Sequence, residues 1–442
     1  MPITTISFQE LRRKVAGRMG GGFVTGDIDS GSVTTIVDNT THTIFGSSGR
    51  ADEYAGWYLL RPDSVGAGSD ILDRVRRVQR HDPSTGTIHT VGPNYNDTTF
   101  TSEVYELHPY LDPDNGDNGM LAAINNALTR RLRYLTNVPL TLAVDGDMDL
   151  SGITNWTAAN LGTTAKDTTA ANVFQGVRSL HTITNAANGY AASDAINVRE
   201  GEGYYIEAIV RSADASSTPK LVVVDQGGNE IDSWTPGDMG LQADIYTDWV
   251  SLGRTVFQPQ TGDTSIVVRL QGVENGADLY WDSVIVLRQA QREFVLPTWI
   301  EDETQLQGIF MPLGSFPRTW DWHQLAEADH KIHLDAAAAN FGILRMQHRT
   351  TRRIYIRAWR PYDKITITTS AGDDDAIAVP EDWAIEACLV EAYELLRQGS
   401  GNGRTPQNLD QELLKAQRRA YHLARHYMRP QPKPFPRGPW QE

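Results

Sequence analysis

Residues 279–287 read Leu-Tyr-Trp-Asp-Ser-Val-Ile-Val-Leu, and this stretch decides the fold of the middle of the chain. Its aromatic and β-branched residues are typical of a β-strand. No helix of useful length separates it from five earlier stretches of the same kind, which span 177–183, 204–211, 220–224, 249–256 and 265–271. Short, evenly spaced strands joined by turns rich in Thr, Asn, Gly and Ser predict an all-β sandwich or jelly roll over residues 141–290.

The sequence before this block predicts mixed α and β structure. Residues 1–140 contain several strand candidates, followed by apolar residues at helical spacing. That spacing predicts a long helix over 119–136, closed by Pro139. The sandwich therefore begins directly after the first long helix.

The sequence after the block returns to mixed structure. Residues 291–429 contain strand candidates and two predicted helices, over 380–398 and 406–428. Five prolines between 430 and 439 predict an extended tail over 430–442. We therefore predict an α+β fold, in which one helical and β domain is interrupted by a sandwich insertion.

Charge and composition limit the possible functions. The chain has 442 residues and a net charge of -15, and residues 141–290 contribute 19 acidic and 8 basic residues to it. Such acidity disfavours general binding of nucleic acid or of an anionic membrane. The N-terminus does not resemble a secretory signal, and no stretch is apolar for long enough to span a bilayer. We expect synthesis in a cytoplasm and no membrane partner.

The sequence contains no convincing catalytic constellation. It has no G-x-S-x-G elbow and no Walker loop, and Cys388 lies within an apolar helical pattern that predicts an inert thiol. We expect the protein not to be an enzyme. A glycan hydrolase stays as an alternative, since paired carboxylates such as those of Asp373 and Asp375 are plentiful.

The middle block resembles the jelly rolls of carbohydrate-binding modules. The resemblance rests on four stretches: an acidic opening segment at 145–149, a tryptophan at 156, a G-x-x-S-L strand at 176–180 and a closing strand at 280–287. In that family the first and last strands often share a structural calcium, and exposed aromatic rings stack on sugars. The resemblance implies a calcium site at Asp147 or Asp149 with Asp282, and no other cofactor. It also implies three candidate glycan-binding residues, which are Trp234, Tyr246 and Trp249.

The flanks resemble head-to-tail adaptor (connector) proteins in the neck of tailed phages. The resemblance rests on the helical stretch 119–135, the strand around Tyr355 and the helix opening Val379-Pro380-Glu381-Asp382-Trp383. It implies a virion protein that forms a homo-oligomeric ring, of twelve copies in that family, beneath the portal protein. Tail or nozzle proteins would be further partners, and genomic DNA would pass through the lumen without being read.

Four residues near the C-terminus are candidates for docking on a partner. Phe435 and Trp440 lie in the predicted tail, which gains stability only on a partner surface. Arg425 and Arg429 belong to a basic amphipathic helix that suits an acidic neighbouring subunit. Our first hypothesis is therefore a phage head-to-tail adaptor. The alternative is a tail-surface or receptor-recognition protein that binds host glycans through the jelly roll.

Overall fold

The computed structural model describes residues 5–20, 23–32, 34–39, 52–62, 74–92, 103–150, 152–241, 247–313, 321–326, 330–335, 341–350, 353–365, 376–400 and 405–428. These residues form two compact units. Among the described residues, unit 1 combines those up to 133 with those from 361 to 428, and unit 2 consists of those from 134 to 360. Antiparallel β-sheet is the commonest regular structure in the described chain.

Unit 1 opens with a short helix and a seven-stranded sheet. After β1 (Thr5–Ser7), helix α1 (Phe8–Arg18) begins where the Ser7 hydroxyl accepts the Glu10 amide hydrogen at 3.1 Å. The next strands are β2 (Val24–Asp27), β3 (Ser30–Ser32), β4 (Thr35–Val37), β5 (Tyr58–Leu60), β6 (Val75–Asp82), β7 (Thr87–Val91) and β8 (Val104–His108). Their order in the sheet is β2-β8-β5-β6-β7-β4-β3.

The long helix predicted over 119–136 is shorter in the structure. Helix α2 (Met120–Asn126) continues as a π-helical turn over Ala127–Arg131, and the chain then extends as β9 (Arg133–Pro139). Tyr134, Thr136 and Val138 are buried in alternation, which is the pattern of a strand. The apolar residues at positions 132 and 135 fit a helix as well as they fit a strand. The spacing alone therefore predicted the wrong end for the helix.

The middle of the chain forms a two-sheet sandwich, as predicted. Its strands are β10 (Trp156–Ala159), β11 (Leu161–Asp167), β12 (Ser179–Thr184), β13 (Gly189–Ser193), β14 (Ile196–Asn197), β15 (Tyr204–Ser212), β16 (Pro219–Asp225), β17 (Glu230–Trp234), β18 (Val250–Phe257), β19 (Ser265–Gly272) and β20 (Asp278–Arg288), with a 3₁₀ turn at Ala170–Asn172. The front sheet has the order β10-β13-β19-β16-β17, with β14 on β19, and the back sheet has the order β11-β12-β20-β15-β18. Trp156, Leu180, Leu221, Leu270 and Trp281 are buried between the two sheets.

Unit 2 extends beyond the predicted boundary at residue 290. Strands β21 (Gln291–Val295), β22 (Leu306–Leu313), β23 (Asp321–Gln324), β24 (His330–Asp335), β25 (Phe341–Thr350) and β26 (Tyr355–Pro361) follow, with a 3₁₀ turn at Glu303–Gln305. They form the sheets β21-β25-β24 and β23-β22-β26-β9. Ile285 and Leu287 of β20 share a core with Phe294, Leu344 and Ile356. Residues 291–360 therefore group with the sandwich and not with the second half of the predicted helical domain.

Unit 1 is completed by the C-terminal segments. These are β27 (Ala376–Ala378), which pairs with β1, and the two predicted helices, α3 (Glu381–Arg397) and α4 (Leu409–Tyr427). Helix α3 is buried on most sides, as its apolar composition predicts. Lys14 of α1 forms an ion pair with Glu381 at 2.5 Å. The predicted tail, 430–442, lies outside the described residues.

Candidate functional site

The outward side of the front sheet presents a polar and aromatic surface. Side chains alternate along a strand, so the residues between the core-facing ones point outward. Tyr190 of β13 faces Gln271 of β19, and Lys220 of β16 faces Gln271 from the other side. Arg269 lies across from Val222 in the next outward-facing row. We call the outward side formed by Tyr190, Lys220, Val222, Arg269 and Gln271 the front face, in which Val222 and Gln271 are buried.

An arginine stacked on a tyrosine occupies the centre of the front face. The Arg269 guanidinium carbon lies 4.5 Å from the centroid of the Tyr190 ring, and both side chains are half-buried. The Nε atom of Arg269 is buried and has no hydrogen-bond partner among the described residues. A guanidinium carries five N–H donors in all, so a ligand with acceptor oxygens suits this side of the sheet.

Further polar groups surround this pair. Gln271 donates from Nε2 to the Asn188 side-chain oxygen at 2.7 Å, and Lys220 forms an ion pair with Glu230 at 3.2 Å. The Lys220 and Glu230 side chains are 23% and 49% exposed, so both can exchange partners with a ligand. The front face thus combines one aromatic ring with several donors and acceptors. An aromatic ring flanked by hydrogen-bonding groups is suited to a ligand with both an apolar face and many hydroxyls.

The three predicted glycan-binding residues do not form one platform. Trp234 ends β17 and packs against the sandwich core, on the side of its partner Leu221. Trp249 directly precedes β18 in the back sheet, where its ring lies 5.7 Å from that of Phe174. Tyr246 lies outside the described residues. The two described tryptophans therefore belong to different sheets and do not line one surface.

The three predicted calcium residues lie close to one another but are already partnered. Asp147 and Asp149 lie 2.8 Å and 3.5 Å from the same Arg360 nitrogen. Asp282 accepts hydrogen bonds from the Phe174 and Gln175 amides at 3.0 Å each. Within the described part of the chain, no group of three or more His, Cys, Asp or Glu side chains is arranged to hold a metal.

The electrostatics of this cluster also differ from those of a calcium site. Burial is the main cause that raises the pKa of Asp149 to about 6 and the pKa of Asp282 well above its ordinary value. A raised pKa disfavours the ionised carboxylate that calcium requires. The residues present therefore do not fit a calcium ion as the resemblance implied.

The predicted docking residues are described only in part. Arg425 is exposed on α4, with its guanidinium 5.8 Å from the centroid of the Tyr421 ring. Arg429, Phe435 and Trp440 lie outside the described residues. Leu414 and Tyr421 are 48% and 61% exposed, and helical spacing places them on one face with Arg418 and Arg425.

Cys388 is fully buried in α3, and burial raises the pKa of its thiol, as expected for an inert core residue. Among the described helices, none is both long and apolar enough to cross a membrane.

The residues that sequence analysis missed are those of the front face. Tyr190 follows the turn-like stretch Asn185-Ala186-Ala187-Asn188-Gly189, which conceals the short strand β13. A signal for Arg269 was available, because Ile266, Val268 and Leu270 alternate with it within a predicted strand. That alternation places Arg269 and Gln271 together on the outward side.

Comparison with known proteins gives matches to solved structures only. No protein-family model and no curated protein sequence matches the chain. The bacteriophage CBA120 tailspike protein 4 enzymatically active domain is similar at 12% identity and a TM-score of 0.26, over 34% of this chain and 21% of that one. The module TmCBM61, in complex with beta-1,4-galactotriose, is similar at 14% identity and a TM-score of 0.27, over 34% of this chain and 99% of that one.

A xylan-binding domain from Paenibacillus barcinonensis is also similar, at 16% identity and a TM-score of 0.24, over 32% of this chain and 90% of that one. The chain thus spans about a fifth of the tailspike domain but nearly all of the single modules. Similar structures therefore include carbohydrate-binding modules and a phage tailspike. The predicted adaptor identity has no support from these structures.

Proposed function

We propose that unit 2 is a glycan-binding module, with its ligand on the front face. In this proposal the chain is a tail-surface or receptor-recognition protein of a tailed phage that binds host glycans. The stacked pair of Tyr190 and Arg269 on the outward side of the front sheet is the observation that carries the proposal. It places a charged group with several N–H donors against an aromatic ring.

The contacts of such a complex follow from the chemistry of the front face. The apolar side of a sugar ring packs on Tyr190, and a ring or hydroxyl oxygen accepts a hydrogen bond from the Arg269 guanidinium. Lys220 donates to further hydroxyls, and Glu230 accepts from them after their mutual ion pair opens. That pair is partly exposed, so its opening costs less than about 1 kcal/mol.

Substitutions on the front face test this function. Tyr190→Ala and Arg269→Gln should each weaken binding of the preferred host glycan at least about tenfold, since each removes an interaction worth more than about 1.4 kcal/mol. Binding is measured first on a glycan array and then by titration calorimetry. Unchanged affinity in both variants, with the wild-type fold retained, would contradict the assignment of the site.

A matched control is available on α4. Tyr421 is an exposed tyrosine that also has an arginine over its ring, but it lies in unit 1. Tyr421→Ala should leave the glycan affinity of each copy, measured by titration calorimetry, unchanged. This control separates the loss of the front face from the general loss of an aromatic and arginine pair.

A head-to-tail adaptor role for unit 1 remains a second proposal. The exposed apolar and basic stripe on α4, formed by Leu414, Arg418, Tyr421 and Arg425, favours a protein partner over free solvent. If this proposal is right, the purified chain should form closed rings, of about twelve copies in mass photometry, and Tyr421→Ser should reduce them to single copies. A monomeric wild-type chain that also does not bind portal protein would contradict it.

A further inference from the structure

The acidic segment Asp145-Gly146-Asp147-Met148-Asp149 is folded into a tight turn. Asp145 and Met148 have positive φ angles of 54° and 57°, and the Met148 amide donates to the Asp145 carbonyl at 3.1 Å. The Gly146 carbonyl accepts a hydrogen bond from the Val284 amide of β20 at 2.7 Å. The turn therefore holds the opening segment of the jelly roll against its last strand.

A lysine side chain enters this turn. Lys166 of β11 places Nζ 2.6 Å from Asp145 Oδ2 and 2.9 Å from the Met148 carbonyl oxygen. The Lys166 side chain is 4% exposed and the Asp145 side chain is fully buried. Carboxylate and carbonyl oxygens are the ligands that calcium prefers, and here an ammonium group takes them.

A second cation neutralises the other end of the segment. Arg360 of β26 donates from Nη1 to Asp147 at 2.8 Å, lies 3.5 Å from Asp149, and is only 3% exposed. Its guanidinium carbon lies 5.4 Å from the centroid of the Trp299 ring, which holds it on one side. Arg360 therefore links the strands after residue 290 to the opening of the sandwich.

Backbone amides take the remaining oxygens. Asp149 Oδ1 accepts from the Val177 and Arg178 amides at 2.8 Å and 3.2 Å. Gly176 makes this approach possible, because a Cβ at that position would lie 2.2 Å from Asp149 Oδ1 and its φ is +73°. The carboxylates thus have protein donors on the sides that a metal ion would need.

We propose that Lys166 and Arg360 serve as internal cations that replace calcium at this junction, so that the folding of unit 2 does not depend on calcium. The internal cations are covalently part of the chain, so no chelator can remove them. The proposal does not depend on glycan binding, and it predicts the same stability in environments with and without divalent cations.

Thermal unfolding of the full chain tests this proposal. The wild-type Tm of the unit 2 transition should be the same in excess CaCl₂ and in excess EDTA. Lys166→Met should lower that Tm by roughly 6 °C or more, because it leaves Asp145 buried without its cation. Lys220→Met is the control, since that lysine is paired at the surface, and should change Tm little.

Each possible result either supports or overturns the proposal. A wild-type Tm that rises with calcium and falls with EDTA would overturn the proposal, and that measurement needs no variant to fold. A Lys166→Met protein as stable as Lys220→Met would also overturn it. Equal wild-type Tm values together with a selective loss in Lys166→Met would support it.

Discussion

Replacing Glu106 with glutamine should destabilise unit 1 by about 3–5 kcal/mol, the typical cost of breaking a buried ion pair from one side. Glu106 and Arg12 are both fully buried. Glu106 accepts from Arg12 Nε at 3.0 Å and Nη2 at 3.1 Å, and from Arg13 Nε at 2.7 Å. His108 Nε2 donates to the same carboxylate at 2.9 Å.

The physical reason is that an amide cannot replace this carboxylate. Glutamine offers one acceptor oxygen and brings two N–H donors toward groups that are already donors. In the variant, Arg12 would stay buried, and its contact at position 106 would be an uncharged side chain. Urea unfolding followed by circular dichroism, with hydrogen exchange to assign the loss to unit 1, measures the effect.

The control lies on α1, the helix that carries Arg12. Glu10 pairs with Lys14 at 2.6 Å, but its side chain is 52% exposed. Glu10→Gln should therefore cost less than about 1 kcal/mol. Equal losses for the two variants would contradict the claim that the buried network stabilises unit 1.

The stability gap between wild type and Glu106→Gln should also depend on pH. Burial opposes ionisation of Glu106, but Arg12 and His108 outweigh it and hold the pKa of that carboxyl well below its ordinary value of 4.5. The unfolded chain then binds a proton before the folded chain does, so stability falls as the pH falls. The gap should be fully present above about pH 4.5 and shrink below it. A gap that does not change between pH 7 and pH 3 would contradict this.

Replacing Trp281 with alanine should destabilise unit 2 by about 3–5 kcal/mol, the usual cost of removing a large aromatic side chain from a core. Trp281 is fully buried between the two sheets of the sandwich. Its Nε1 also donates to Thr182 Oγ1 at 3.2 Å, so the variant loses a buried hydrogen bond as well. Hydrogen exchange should show the loss in strands β10–β20.

The neighbouring residue supplies the control for Trp281. Tyr280 points to the opposite side of β20, where its ring stacks on His181 with the centroids 4.5 Å apart. Tyr280→Ala should cost much less, because the ring is partly exposed. If Tyr280→Ala destabilised unit 2 as much as Trp281→Ala, the assignment of the two sides of β20 would be wrong.

The sandwich was predictable because its central strands are continuous and strongly apolar. Strands such as β15 and β20 combine aromatic and β-branched residues, and this local composition identifies them as strands without any knowledge of distant contacts. The edge strands β10 and β11, and β13 beside β10, consist largely of Thr, Ala and Gly, which single-sequence patterns do not separate from turns. These strands form because neighbouring strands offer them hydrogen bonds.

The sequence predicted the kind of side chain at the candidate site but not which residues supply it. The resemblance led us to expect aromatic rings, but Trp234 is used in the core, and the ring on the front face belongs to Tyr190. The resemblance placed the acidic segment at 145–149 near Asp282, and the structure holds this segment against β20 through the Gly146 carbonyl. Its partners come from two different strands. Lys166 lies 21 residues after Asp145 and Arg360 lies 213 residues after Asp147, and no local pattern shows that they converge.

A crystal structure of the chain with a bound glycan tests the central claim most directly. The glycan would be the strongest binder from the array. We predict a sugar ring packed on Tyr190, with one of its oxygens within hydrogen-bond distance of the Arg269 guanidinium. A glycan bound at Trp249 in the back sheet, or anywhere away from the front face, would contradict the account.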